Sequence, residues 1–211
     1  MGQYLIKLCA LFLSLCSTRV EAFCLPWLLD SEPPGFYVTA FGGFNGGYNV
    51  NSSDIKTSRG YYCGINAGKK IYPNIRLEGD FIWQRNGVQG VSLGSLSLTH
   101  LKGTMNTESL MANLLFDLNF PFPGTPSIGA GIGYAFADLN WSGKFIQTTD
   151  HLIKEKDYKG SVHEKGLAWQ IIANLNFFVC PSVKISAEYR FFKLEDKFST
   201  YKLGLALSKF F

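Results

Sequence analysis

The stretch IRLEGDFIWQ, residues 75–84, places Ile75, Leu77, Gly79, Phe81 and Trp83 at one parity and Arg76, Glu78, Asp80 and Gln84 at the other. A helix would scatter these residues around its circumference, whereas an extended strand sends successive side chains to opposite faces. The segment therefore reads as a strand with one apolar and one charged face.

Four more segments carry the same alternation. Leu110, Ala112, Leu114, Phe116 and Leu118 oppose Asn113 and Asp117, and Leu167, Trp169, Ile171, Ala173, Leu175 and Phe177 oppose Gln170, Asn174 and Asn176. Val183, Ile185, Ala187, Tyr189 and Phe191 oppose Lys184, Ser186, Glu188 and Arg190, and Tyr201, Leu203, Leu205 and Leu207 oppose Lys202, Gly204, Ala206 and Ser208. Three glycine-rich segments, residues 36–47, 58–69 and 126–141, complete a set of eight. Strands of roughly 11–16 residues exceed the ~5–6 of ordinary globular strands and reach the ~9–11 that a tilted strand needs to cross a bilayer.

The connections sort into two classes. Three short ones carry proline: residues 70–74 with Pro73, 120–126 with Pro121, Pro123 and Pro126, and 179–182 with Pro181. The alternate ones, residues 45–57, 85–106 and 140–165, are longer and polar, and 195–198 is brief. No proline interrupts a strand, as a sheet without free edges requires. Short turns at one end, long loops at the other and an even strand number predict an all-β, closed eight-stranded antiparallel transmembrane β-barrel, an up-and-down meander. The rival is a soluble barrel with its apolar face turned inward around a ligand. Strand length and the aromatic chain end favour the membrane. The turns are expected in the periplasm and the loops outside the cell.

Composition agrees. The chain is 46% hydrophobic with 22 Gly and 18 Phe and only 17% charged, too apolar for disorder and too rich in glycine and aromatics for a helical bundle. Its 20 Lys and Arg are dispersed, so no nucleic-acid partner is expected. At the start, Lys7 precedes an apolar run from Leu8 to Cys16 that is too short to span a bilayer, and Val20-Glu21-Ala22 suits signal-peptidase cleavage. The expected division is a signal peptide over 1–22, a periplasmic segment over 23–34 and the barrel over 35–211. Removing the signal lowers the formal charge of +4 to about +3 and leaves Cys24, Cys63 and Cys180. An odd number keeps one thiol or pairs it between chains. Cys24 and Cys180 share the expected periplasmic side and form the candidate disulfide.

If the apolar faces meet lipid, Arg76, Glu78, Asp80, Gln84, Asn113, Asp117, Gln170, Asn174, Lys184, Glu188 and Arg190 point inward. An eight-stranded interior is just filled by side chains, and buried charges must pair. This predicts a plugged polar lumen, with Arg76 and Arg190 bridging Glu78, Asp80, Asp117 or Glu188. A narrow porin-like channel is the alternative function. A lipid A-modifying enzyme is the second, and His163 beside Glu164 is its candidate; His100, His151 and His163 all fall in expected loops. No catalytic, cofactor or metal site is assigned, because neither histidines nor cysteines show paired ligand spacing. Gly129, Gly131 and Gly133 form a GxGxG run, yet it continues as alternating strand instead of opening a helix, so it reads as space for bulky lumen neighbours.

The segments GFYVTAFGGFN (35–45), RLEGDFIWQR (76–85), SLMANLLFDL (109–118), SIGAGIGYAF (127–136), LAWQIIANLNF (167–177) and KISAEYRFF (184–192) together resemble the eight-stranded opacity-protein and surface-antigen superfamily, which includes the outer-membrane-protein-A barrel. The ending YKLGLALSKFF (201–211) resembles the C-terminal signal read by the barrel-assembly machinery, carried by Leu203, Leu205, Leu207 and Phe211, with Lys209 where such signals usually hold an aromatic. The resemblance implies a bacterial outer-membrane surface antigen used for envelope structure and adhesion or host contact. Its implied partners are outer-membrane lipids and lipopolysaccharide, the assembly machinery, and host-surface or envelope proteins. The charged stretch 140–165 is the expected contact loop.

Overall fold

The computed structural model describes residues 35–211 apart from 47–48, 51–53, 94–95, 99–101, 121–123, 150–151 and 196–197, and leaves the side chains of 49–50, 54–56, 89–93, 96–98, 102, 143–149 and 152–158 undescribed. Ten strands follow in chain order: β1 (Phe36–Asn45), β2 (Asn49–Val50), β3 (Asp54–Tyr72), β4 (Ile75–Leu93), β5 (Leu96–Leu98), β6 (Lys102–Asp117), β7 (Thr125–Thr149), β8 (Leu152–Cys180), β9 (Val183–Leu194) and β10 (Phe198–Phe210). Eight are long, and β2 and β5 are short pieces at the long-loop end.

The long strands pair antiparallel with their sequence neighbours in the order β1, β3, β4, β6, β7, β8, β9, β10. Strand β10 then pairs with β1 from Tyr37↔Phe210 to Asn45↔Lys202, and this closes the ring. Closure gives every long strand two neighbours along its barrel portion and removes the free edges that an open sheet would present.

Alternation sorts the side chains as the sequence reads. Leu110 (66% exposed), Leu203 (64%) and Leu205 (65%) stand outward, while their neighbours Met111, Lys202 and Ala206 are buried in the lumen. On β6 the outward apolar run from Leu110 extends past the strand end to Leu118. At about 3.4 Å per residue and a tilt near 40° it is roughly 20 Å tall, close to the ~25 Å band of a membrane barrel.

Three expected loops are partly strand. Residues 140–149 and 152–165 form a β-ribbon in which β7 and β8 stay paired from Asn140↔Ser161 to Thr149↔Leu152. Strand β4 continues to Leu93 and β6 begins at Lys102, inside the expected 85–106 loop, and β3 begins at Asp54. Once the barrel sets β7 and β8 in register, each added pair extends an existing ladder. The long strands accordingly run from 10 to 29 residues. His163 therefore lies in β8, and His100 and His151 lie outside the described residues.

Candidate functional site: the barrel lumen and its mouth

Of the eleven polar residues read as inward-facing, ten are buried and Asn174 is half-buried. They fall into two tiers. In the tier nearest the short turns, Arg76 Nη1 donates to Glu78 Oε1 at 3.0 Å and Nε to Asp117 Oδ1 at 2.9 Å. Its Nη2 donates to Ser127 Oγ at 3.0 Å. The Tyr37 hydroxyl donates to Glu78 Oε1 at 2.6 Å, and Asn66 Nδ2 to Glu78 Oε2 at 3.1 Å. In the next tier Arg190 grips Glu188 with Nε and Nη2, both at 3.1 Å, and donates from Nη1 to Asp80 Oδ2. Here the Tyr62 hydroxyl donates to Glu188 Oε1 at 2.9 Å.

The tiers repeat one chemistry. Each has an arginine, a glutamate two positions away on the same strand, an aspartate from another strand and a tyrosine hydroxyl on the glutamate. One arginine against two carboxylates leaves each tier one negative charge in excess, which an apolar interior would not tolerate. A lysine on two aromatic rings lies beside each. Lys184 Nζ sits 5.1 Å from the Tyr37 ring centre and 5.3 Å from that of Phe210. Lys202 Nζ sits 4.4 Å from Phe192 and 5.7 Å from Tyr62. Among the described residues the buried cations Arg76, Lys184, Arg190 and Lys202 thus match the buried anions Glu78, Asp80, Asp117 and Glu188. Lys202 Nζ has no hydrogen-bond partner there, so the aromatic faces and the nearby carboxylates are what offset its desolvation.

Between the tiers and the β6–β8 wall, Gln170 Nε2 donates to Asn113 Oδ1 at 2.7 Å and reaches Asp80 Oδ2 at 3.4 Å. Gly131 lies between Asn113 and Gln170 in the cross-strand row, and a β-carbon there would come 1.8 Å from Asn113 Oδ1. The GxGxG run is thus the floor over which lumen side chains lean.

The long-loop half is different. Phe41, Tyr62, Ile82, Val88, Met105, Met111, Ala135, Ala137, Leu139, Ala168, Phe192, Leu194, Phe198 and Ala206 form one buried cluster. The lumen is therefore filled: its ion pairs lie in the short-turn half, and an apolar cluster interspersed with the buried Asn45, Gln84, Asn86 and Thr107 occupies the rest. Near the plug, Asn45 and Asn86 exchange side-chain amide bonds at 2.9 and 3.1 Å. The signal in the sequence was Ile82 and Met111, apolar residues at inward parity.

Above the plug a cavity of about 860 Å³ opens to solvent, lined among others by Val88, Gly103, Trp141, Lys159 and Gly160. His163, exposed on the outer face of β8, has Nδ1 2.5 Å from Asp138 Oδ1. At the short-turn end Phe210 is buried inward between Tyr37 and Phe178, at 5.0 and 5.9 Å. Leu203, Leu205 and Phe211 face out, and Leu207 is half-buried at the same parity. Cys180 is half-buried beside the last short turn, and Cys24 lies outside the described residues.

The outer membrane protein beta-barrel domain family matches residues 8–208. No curated protein matches the chain. Among solved structures, Neisserial surface protein A superposes with a TM-score of 0.57 at 17% identity, over 84% of this chain and 97% of that one. Ail, the attachment invasion locus protein of Yersinia pestis, solved in complex with the heparin analogue sucrose octasulfate, gives 0.50 at 19%, over 82% and 98%. OprG from Pseudomonas aeruginosa gives 0.51 at 10%, over 87% and 100%. At these identities the likeness concerns the fold.

Proposed function

The chain belongs to the outer membrane protein β-barrel family, and from that premise we propose a bacterial surface protein that serves envelope structure and contact with other surfaces through its long-loop end. The observation that carries this reading is the division of labour between lumen and ribbon. The lumen is closed by two charge-balanced tiers and an apolar plug, so transport is not where the fold invests its polar chemistry. The β7–β8 ribbon, in contrast, continues at the long-loop end beyond Ala168↔Leu194, the last β8–β9 pair, and beyond Lys102↔Ser142, the last β6–β7 pair. A rigid scaffold that projects a variable segment is the usual geometry of recognition. The structural neighbour Ail, solved with a heparin analogue, is consistent with a role of this kind.

In this reading the short turns face the periplasm, residues 1–22 are removed on export, and Leu203, Leu205, Leu207 and Phe211 serve the assembly machinery. The outward apolar band contacts lipid and lipopolysaccharide. The test is paired. Binding of cells carrying the intact protein to host cells and matrix is compared with that of a variant lacking residues 143–158, and purified protein is examined in planar bilayers. The expected results are loss of binding in the variant and no large, stable conductance. Unchanged binding overturns the contact role, and a large steady conductance overturns the closed lumen.

A further inference from the structure

We propose that Arg59 and Arg85, neighbours on the outer wall of β3 and β4, form a clamp for the phosphate group of an anionic lipid in the leaflet at the long-loop end. This deepens the outer-membrane reading and rests on it.

The two arginines sit where the apolar band stops. On β3 the outward residues run Ile65, Cys63, Tyr61 and then Arg59, and on β4 they run Phe81, Trp83 and then Arg85. Arg85 stands directly opposite Tyr61, and Phe44 on β1 stands opposite Tyr61 on the other side. The Tyr61 and Trp83 rings lie 5.6 Å apart, so three outward aromatics make a shelf at the foot of the arginines. Aromatic residues mark the edge of a membrane band, and a step of two residues along a strand tilted near 40° rises ~5 Å, to the level of lipid headgroups.

The backbone leaves room between the arginines. Strand β3 bulges between Thr57 and Gly60, so Ser58 and Arg59 together face the single residue Gly87 on β4. Ser58 Oγ donates to Gly87 O at 3.2 Å, and a β-carbon on Gly87 would come 2.7 Å from that oxygen. The position next above Arg85 on its strand therefore carries no side chain. Arg59 and Arg85 occupy diagonal places of one ladder, ~7–8 Å apart at the backbone, within reach of a shared ligand for two long side chains.

Charge selects the ligand. Both arginines are exposed, and among the described residues neither guanidinium forms an ion pair. Residues 46–53 and 86–107 contain no Asp or Glu, so the adjoining segments bring no carboxylate. Asp54 lies five residues further along β3, ~17 Å away, and Glu108 on β6 stands opposite Trp83 instead of Arg85. Elsewhere on the same edge Asp138 on β7 is paired with His163, and Lys165 on β8 and Lys193 on β9 already have partners in the protein. The β3–β4 wall is thus a localised cationic spot. Guanidinium forks match phosphate oxygens in pairs, and the second arginine favours a net anionic lipid over a zwitterionic one whose own cation would be repelled. The aromatic shelf below meets acyl chains, which favours a lipid-borne phosphate over a free one.

The full-length protein, folded in detergent micelles, is titrated with lipid A, with the same lipid stripped of its phosphates, and with inorganic phosphate, while native mass spectrometry counts what is retained. Saturable retention of lipid A is expected, with the stripped lipid at least about tenfold weaker and inorganic phosphate unable to displace lipid A. Arg59→Gln and Arg85→Gln are each expected to weaken retention about tenfold, and Arg85→Lys to recover part of the loss, because the charge returns without the fork. Lys69→Gln removes the same charge from an exposed place at the short-turn end of β3 and should change nothing. Heat-modifiable migration shows that each variant is folded. The proposal is overturned by equal retention of the two lipids, by undiminished retention in the folded Arg59 and Arg85 variants, by an equal loss in Lys69→Gln, or by displacement with inorganic phosphate. Cell binding by the intact protein without lipid A retention leaves surface contact standing and removes the clamp. Lipid A retention without cell binding does the reverse.

Discussion

Gln170 hydrogen-bonds Asn113 at 2.7 Å across the bare inner face of Gly131, joining β8 to β6 over the strand between them. The contact exists only because residue 131 has no β-carbon. Gly131→Ala would place one 1.8 Å from Asn113 Oδ1, so Asn113 must swing away and two buried amides lose their bond. The expected cost is about 1–3 kcal/mol, read as a lower urea midpoint for unfolding from lipid vesicles. Gly79→Ala is the control: nothing lies within 4 Å of its added carbon, and stability should hold or rise by about 0.5–1 kcal/mol through better strand propensity.

Arg190→Met removes the one cation that, among the described residues, hydrogen-bonds both Asp80 and Glu188 in the second tier. Two buried carboxylates then face each other with Lys202 alone to offset them, and a loss of about 3–5 kcal/mol is expected. The double variant Arg190→Met with Glu188→Gln should recover part of that loss in the same unfolding assay. A double variant no more stable than the single would mean that charge balance does not govern the tier.

Leu114 stands outward in the middle of the apolar run on β6. Leu114→Arg should destabilise the barrel by about 2–4 kcal/mol in phosphatidylcholine vesicles, as a charge at the bilayer midplane does. The same change at Phe120, beyond the strand near the short-turn end, should cost about 0–1 kcal/mol. Equal effects at both sites would place the band away from lipid.

Deleting residues 143–158 removes paired backbone that, among the described residues, joins the rest of the ring through no other strand ladder. Heat-modifiable migration and the unfolding midpoint should therefore be unchanged within about 0.5 kcal/mol. A large loss of stability would show that the ribbon folds back on the barrel.

The ring was legible because period-two alternation recurs in segments such as Ile75–Gln84 and Val183–Phe191, and because Pro73, Pro121, Pro123 and Pro181 fall in short connections while Pro126 sits only at the start of β7. The two inward arginines and their four acids were legible as a set. Their pairing was not, since Tyr37 meets Glu78 across 41 positions and Tyr62 meets Glu188 across 126. Lys202 was visible at inward parity, but its aromatic seat depends on Phe192 and Tyr62 converging from two other strands. The apolar plug escaped notice because Ile82 and Met111 interrupt a polar face singly, and only the barrel stacks them. The ribbon escaped because charge density was read as loop, whereas strand pairing inherited from below decides it.

Ring closure joins the first strand to the last, with Thr39 and Ser208 in side-chain contact across 169 positions. The N-terminal strand consequently has no permanent partner until the C-terminal strand has been synthesised and delivered. A chain that stops before β10 would carry two open edges into the envelope. Assembly is thus all-or-none at the level of the whole polypeptide, and an exported chain of this design needs escort until its final residue has arrived.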